Sequence, residues 1–289
     1  MVRSAGQRSL WKYDGSWKIK AKVQKLIREG GVRQGLHIDT ARIVKYLTER
    51  EKEEGGFSFA PDLYPDVTDT YYAIRTLQIL DVDINRSKTA NYLKSVMTWI
   101  DVSFPRTVYR IVYLHLSAGM TLPVPVIDLL KEDWSRFQPL DAQYFSNETL
   151  KLLDQPVKPL FSSSLFQFDV QDDLQSLRKK VSILLDLKID FDKQEIIRWV
   201  QLCQSGDGGF GFHPGTKTSY MENIYCALEI LSKLQASPRR IDTCREYILG
   251  CQTKSGGFGR ALISFPFIES TFQAVAGLFI LDEMEGGST

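Results

Sequence analysis

The chain of 289 residues is 43% hydrophobic and 25% charged, and its 36 Lys and Arg nearly balance 35 Asp and Glu for a net charge of +1. This is the composition of a globular protein with apolar mass for a sizeable core, and it excludes a dedicated nucleic-acid surface, which carries a basic excess. No apolar run reaches the ~18 residues of a membrane span, no apolar signal segment follows Met1, and Cys203, Cys226, Cys244 and Cys251 lack any Cys-x-x-Cys pairing, so buried, reduced thiols and a cytoplasmic location are expected.

In chain order, the first element with a signature is Gly55-Gly56-Phe57, followed by an apolar helix over Thr70 to Leu80. Ala90 to Met97 with Thr107 to Leu116 reads as a helix pair without the glycines. Val126 to Leu130 with Ser176 to Leu187 reads as another pair, split by an irregular insertion near 135–170. Pro139, Pro156 and Pro159 and the run Ser162 to Ser164 mark that insertion as a surface excursion. Ile196, Ile197, Val200 and Cys203 then recur at helical steps, leading to Gly208-Gly209-Phe210 and an apolar helix over Ile224 to Leu234. Cys244, Tyr247, Ile248 and Cys251 repeat the pattern before Gly256-Gly257-Phe258 and a last apolar helix over Thr271 to Leu281.

Each unit is therefore helix, glycine loop, helix. Glycine suits a loop that turns sharply after a helix, because it reaches positive φ without a Cβ clash. Gly208 to Gly256 spans 48 residues, and Gly55 to Gly208 spans 153, close to three such periods. Repeats of this length bury their apolar faces only against neighbours. About five or six helix pairs are expected, closed into a ring or stacked in an open solenoid, over residues 1–289 as a single all-α domain. The helix after each glycine motif is the more continuously apolar, as an inner layer requires.

These motifs resemble the repeats of the protein prenyltransferase and squalene/terpene cyclase superfamily: a Gly-Gly-Phe-Gly loop, then an acidic residue, Thr or Ser, Tyr or Phe, and Ala on the next helix. Gly208 to Phe212 with Glu222 to Ala227 is similar to that pattern, as are Cys251 to Arg260 with Glu269 to Ala274, and Gly55 to Ala73. The resemblance implies an α/α toroid, an inner barrel of helices wrapped by an outer one, with an apolar central funnel for an isoprenoid chain.

The family's site residues transfer only one by one. The cyclase branch protonates an alkene through the middle aspartate of Asp-x-Asp-Asp; here Asp66-Val67-Thr68-Asp69 puts Thr68 at that position and keeps Asp69. Asp66 and Asp69 also read as helix N-terminal caps. The prenyltransferase β-subunit branch holds zinc through Asp-x-Cys and a histidine. Those positions fall on Glu222, Ile224 and Glu269, so the cysteine and histidine ligands are unmatched, while Tyr225 is kept. Cys226 shares a helical face with Glu222 and is a substitute donor. Glu222 and Glu269 are alternatively carboxylates for Mg²⁺ bridging a diphosphate, or plain helix N-terminal residues.

Cations for a diphosphate are Arg260 and Lys217, in the loops around these glutamates. Arg75 and Arg110 lie on apolar helices, facing the funnel or snorkelling to solvent, the commoner course. His37, His115 and His213 show no metal-ligand spacing. Tyr71, Tyr72, Tyr113, Tyr225 and Phe272 form an aromatic wall for an isoprenoid, or core packing between repeats. Three readings follow: a prenyltransferase-like toroid binding and transferring an isoprenoid diphosphate, with Mg²⁺ or Zn²⁺; a non-catalytic toroid binding a lipid or a protein; and, last because of Thr68, a cyclase. The resemblance adds a possible helical-repeat partner subunit.

Overall fold

The structure, a computed structural model, describes residues 38–98, 104–124, 126 and 134–286. His37 and all of the expected Val126 to Leu130 helix except Val126 lie outside them. Ten α-helices are found among the described residues: α1 (Thr40–Thr48), α2 (Val67–Ile79), α3 (Arg86–Val96), α4 (Pro105–Ala118), α5 (Pro139–Leu152), α6 (Leu174–Asp186), α7 (Lys193–Leu202), α8 (Met221–Lys233), α9 (Ile241–Gly250) and α10 (Ile268–Gly286). Extended pairing among the described residues is confined to isolated bridges in the glycine loops. No described helix is long and apolar enough to cross a membrane.

Local sequence sets the helix starts. Asp39, Asn85, Asp173 and Asp192 each accept a backbone N–H from the first turn of α1, α3, α6 and α7, and the Asp66 carboxylate accepts two, from Thr68 and Asp69. Such caps satisfy donors that a helix N-terminus otherwise leaves open. Pro105 and Pro139 occupy the first turn of α4 and α5, where the missing N–H is harmless and the fixed φ favours the helix. This corrects the reading of 135–170 as an irregular insertion. Pro139 opens a 14-residue helix, and the irregular stretch is limited to the connection after Leu152.

Six of the described helices make the inner layer. α2, α4, α5, α6, α8 and α10 each pack on the next, and α10 packs on α2, closing the ring. α3, α7 and α9 lie outside against α4, α8 and α10. The fold is an all-α toroid.

The glycine loops lock neighbouring units. Gly55, Gly208 and Gly256 have φ of +96°, +94° and +99°, and a Cβ on each would meet the carbonyl oxygen of Lys88, Thr243 or Arg42 at 2.1, 2.2 or 2.3 Å. The first glycine of each motif is thus required twice, by backbone handedness and by contact with an outer helix. The following Phe57, Phe210 and Phe258 are 4%, 0% and 0% exposed, each a plug contributing roughly 1.5–3 kcal/mol by burial. In the first and third loops the phenylalanine N–H donates to the hydroxyl of Thr70 or Thr271, at 2.9 Å in both, tying loop to inner helix.

Candidate functional site

The ring encloses a cavity of about 540 Å³, within the usual range for a small-molecule site. Positions three, four and seven residues apart share one face of a helix, and that face of each inner helix supplies the lining. On α2 these are Tyr71, Tyr72 and Arg75; on α8, Glu222, Tyr225, Cys226 and Glu229; on α10, Glu269, Phe272 and Gln273. Helices α4 and α5 add Tyr109, Arg110, Tyr144, Phe145 and Glu148, and α6 adds Arg178 and Lys179. The first turns of the inner helices form the rim, and residues such as Arg75 and Glu229 lie about two turns deeper.

This lining departs from an apolar funnel, because charged groups stand among the aromatic rings. Four of the cavity's six cations have carboxylate partners. Arg106 and Lys179 share Asp141 at 3.5 and 2.6 Å, Arg178 meets Glu229 at 3.0 Å, and Arg260 grips Glu222 through Nε at 2.7 Å and through Nη2. Arg75 and Arg110 enter no ion pair among the described residues. Arg110 donates to the Thr68 hydroxyl at 2.7 Å and to the Tyr72 hydroxyl at 3.4 Å. Arg75 donates to the Tyr71 hydroxyl at 2.8 Å and lies 4.5 Å from the centre of the Phe272 ring. Both arginines therefore face the cavity rather than snorkelling outward.

The aromatic wall is continuous. Tyr71 packs edge-on against Tyr72, Tyr109 and Tyr113, and Phe272 bridges Tyr72 and Tyr225 at centroid distances of 5.2 and 5.5 Å. Such rings offer apolar surface together with a negative face for a cation or an unsaturated chain. Tyr113 stands behind Tyr71 instead of on the cavity surface.

At the rim, the Glu269 carboxylate accepts from Tyr72 at 2.8 Å and from Gln273 at 3.4 Å. Burial, reinforced by the Asp66 carboxylate, pushes Asp69 up to about 7. The Asp66 carboxylate accepts the two N–H groups it caps, those of Thr68 and Asp69. Burial pushes the Cys226 thiol up to about 12 against the pull of Arg178.

A zinc ion of the prenyltransferase type does not fit these residues. The cysteine position is the buried Ile224, Glu222 is committed to Arg260, and Cys226 resists the deprotonation a metal ligand needs. No group of three or more His, Cys, Asp or Glu able to hold a metal occurs among the described residues. His115 is buried with Nδ1 2.9 Å from the Ile111 carbonyl oxygen, and His213 is exposed beside Trp199.

Of the residues singled out from sequence, the structure gathers Asp69, Tyr71, Glu222, Tyr225, Arg260, Glu269 and Phe272 around one cavity. Lys217 lies elsewhere, beside Ser205, Asp207 and Thr216 in a separate hollow. Ser205 donates to the Thr216 carbonyl in that hollow at 2.9 Å. Tyr109, Tyr144, Arg178 and Glu229 were not singled out. Their signal was the shared inner-face register of the six helices, which is visible only once the middle repeats are in phase.

A family profile described as "Prenyltransferase alpha-alpha toroid domain" matches residues 22–112 and 129–288. No curated protein matches the chain.

Proposed function

The chain belongs to the prenyltransferase alpha-alpha toroid family, and on that footing we propose that its central cavity binds an isoprenoid diphosphate. The observation that carries this reading is the pairing of a continuous aromatic wall with two arginines, Arg75 and Arg110, that have no carboxylate partner among the described residues. An unsaturated hydrocarbon is complementary to tyrosine and phenylalanine faces, and a diphosphate to forked guanidinium donors. Thr68 and Tyr72 orient Arg110. A guanidinium fixed before the ligand arrives loses little entropy when it binds.

The reading requires no metal. Titration calorimetry with geranylgeranyl diphosphate and geranylgeraniol, with and without Mg²⁺, tests it. The diphosphate binds at least tenfold more tightly, and Mg²⁺ is not needed. Equal affinity for both would leave a neutral-lipid carrier, and binding of neither would remove the isoprenoid reading.

A second reading is favoured by the Asp66–Asp69 pair. A carboxyl that keeps its proton near neutral pH at the cavity rim is suited to general-acid work on an alkene or a leaving oxygen. Thr68, at the position of the family's acid, instead orients Arg110. Incubation with geranylgeranyl diphosphate and analysis for cyclic or released products, in wild type and Asp69→Asn, tests this: product formed by both proteins alike excludes Asp69 as the acid.

A further inference from the structure

The connections that lead into the inner helices carry apolar side chains at their exposed tips. Tyr64 is 90% exposed before α2, Phe104 57% before α4, and Ile263 and Phe265 99% and 82% before α10. All four stand at the rim end of the ring, where the inner helices begin. The connections at the opposite end are built the other way. After α2 and α6 the exposed residues are Asp81, Asp83, Lys188 and Asp190, while the intervening Val82, Ile84, Ile189 and Phe191 pack against the core. Scattered singly, exposed apolar side chains need no explanation. Gathered at one end, around an opening, they mark a contact face.

The glycine motif does not impose this. Its three loops close with the same backbone hydrogen bond, from Asp66 to Phe57, Tyr220 to Phe210 and Phe267 to Phe258. Where the first and third loops present Tyr64 and Phe265, the second presents His213, Lys217 and Thr218. The third loop has no charged residue between Arg260 and Glu269. The apolar surface also continues inward. Phe59 and Phe267 stack at 4.7 Å across the first and third loops, and Phe267 lines the cavity together with Phe272.

A bilayer fits this distribution. Its interface takes aromatic and aliphatic tips that share no groove, and asks no matching charge of them. A protein partner would call for about one hydrogen bond per 100–200 Å² of interface. The one polar side chain from Ala261 to Phe267, Ser264, is bonded within its own loop. We propose that the rim end of the ring docks on a lipid bilayer through the first and third glycine loops, with Tyr64, Ile263 and Phe265 entering the interface and the cavity mouth facing the lipid. The docking stands on the loops alone; that the bilayer delivers the cavity's ligand rests on the isoprenoid diphosphate reading.

The test is flotation of the full chain with phosphatidylcholine vesicles at low and high salt, using wild type, the double variant Ile263→Ser/Phe265→Ser, and Lys217→Ala in the second loop. A thermal melt and a sizing run accompany each. Wild type floats with the vesicles, and salt changes its partition coefficient less than twofold. The double variant melts as wild type does, because both side chains lie outside the core, but partitions at least tenfold more weakly. Lys217→Ala behaves as wild type. Wild type that fails to float overturns the proposal, as does a folded double variant that floats undiminished, or binding that high salt abolishes. If the double variant does not fold, Tyr64→Ser replaces it, and undiminished flotation of that variant overturns the proposal. Wild type that stays in the buffer as a dimer, split by the double variant, replaces the bilayer with a second copy of the chain. Calorimetry with geranylgeranyl diphosphate separates the two readings, since neither Ile263 nor Phe265 lines the cavity. Vesicle binding by a chain that ignores this ligand keeps the docking and removes the isoprenoid reading; ligand binding by a chain that ignores vesicles does the reverse.

Discussion

Gly256 abuts the carbonyl oxygen of Arg42, and through that contact the last repeat closes onto the first. A Cβ at Gly256 would lie 2.3 Å from that oxygen at a φ of +99°, while the Arg42 guanidinium reaches back to the carbonyls of Thr253 and Lys254 at 2.9 and 3.0 Å. Gly256→Ala is expected to cost about 2–5 kcal/mol, combining left-handed strain with overpacking against backbone. Gly119→Ala is the control. Its φ is +70° but nothing lies within 4 Å of the added carbon, so only the strain of about 1–2 kcal/mol applies. Urea unfolding of both variants checks the difference; equal costs would show that the Gly256–Arg42 contact does not hold the ring closed.

The Asp66–Asp69 pair predicts a pH dependence of stability. Asp69 titrates near 7 in the folded chain because of burial and the adjacent Asp66, whereas an unfolded aspartate titrates near 4. The folded state therefore binds the proton more tightly. This contribution is fully present below about pH 4 and is lost as pH rises through 7. Asp69→Asn removes the titration, so its melting temperature relative to wild type rises between about pH 4 and pH 8. A difference independent of pH would show that Asp69 is ionised throughout.

The architecture was legible because three Gly-Gly-Phe loops carry their own phase: each fixes where its inner helix begins and which face turns inward. Glu222, Glu269, Tyr225 and Phe272 were found for that reason. Helices α4 to α6 have no such loop, so Tyr109, Tyr144 and Arg178 had no reference point. Pro139 read as a breaker, although a proline in a first turn starts a helix. Lys217 is near Glu222 in sequence, but the fold places it in a separate hollow beside Ser205 and Asp207. The charge on Arg75 was visible as an anomaly in an apolar helix. Its direction was not, because snorkelling and inward placement look alike until neighbouring helices are present.

The rim pair of Glu222 and Arg260 gives a prediction opposite to that for a metal-binding glutamate. Arg260 is half exposed and its partner is mostly buried, at 50% and 14% side-chain exposure. Glu222→Gln frees the Arg260 charge and removes a repelling carboxylate from the entrance. Diphosphate affinity is expected to rise about two- to fivefold at low salt and to converge on wild type in high salt. Stability changes by less than about 1 kcal/mol, as for other partly exposed pairs. A loss of diphosphate affinity that Mg²⁺ modulates would instead identify Glu222 as a metal ligand.

Arg178 reaches the cavity paired with Glu229 and Arg75 without a carboxylate partner among the described residues, so Glu229→Gln and Arg75→Met should move stability in opposite directions. Burial opposes the charge on Glu229, but Lys233 and Arg178 overcome it and hold its carboxyl well below the usual range. The stability this provides is present above about pH 4.5 and is lost as pH falls further. Glu229→Gln leaves Arg178 uncompensated with 16% of its side chain exposed, so a loss of about 3–5 kcal/mol is expected at neutral pH. Arg75→Met removes a charge that has no carboxylate partner among the described residues, and its thioether chain suits the surrounding rings. The unliganded protein should therefore be unchanged or up to about 1–2 kcal/mol more stable, while diphosphate binding falls. Stability gained together with binding lost is the mark of a residue retained for its ligand. Denaturant unfolding of the two variants without ligand decides the matter. If Arg75→Met is destabilised as strongly as Glu229→Gln, Arg75 serves the core and the anion site must lie elsewhere.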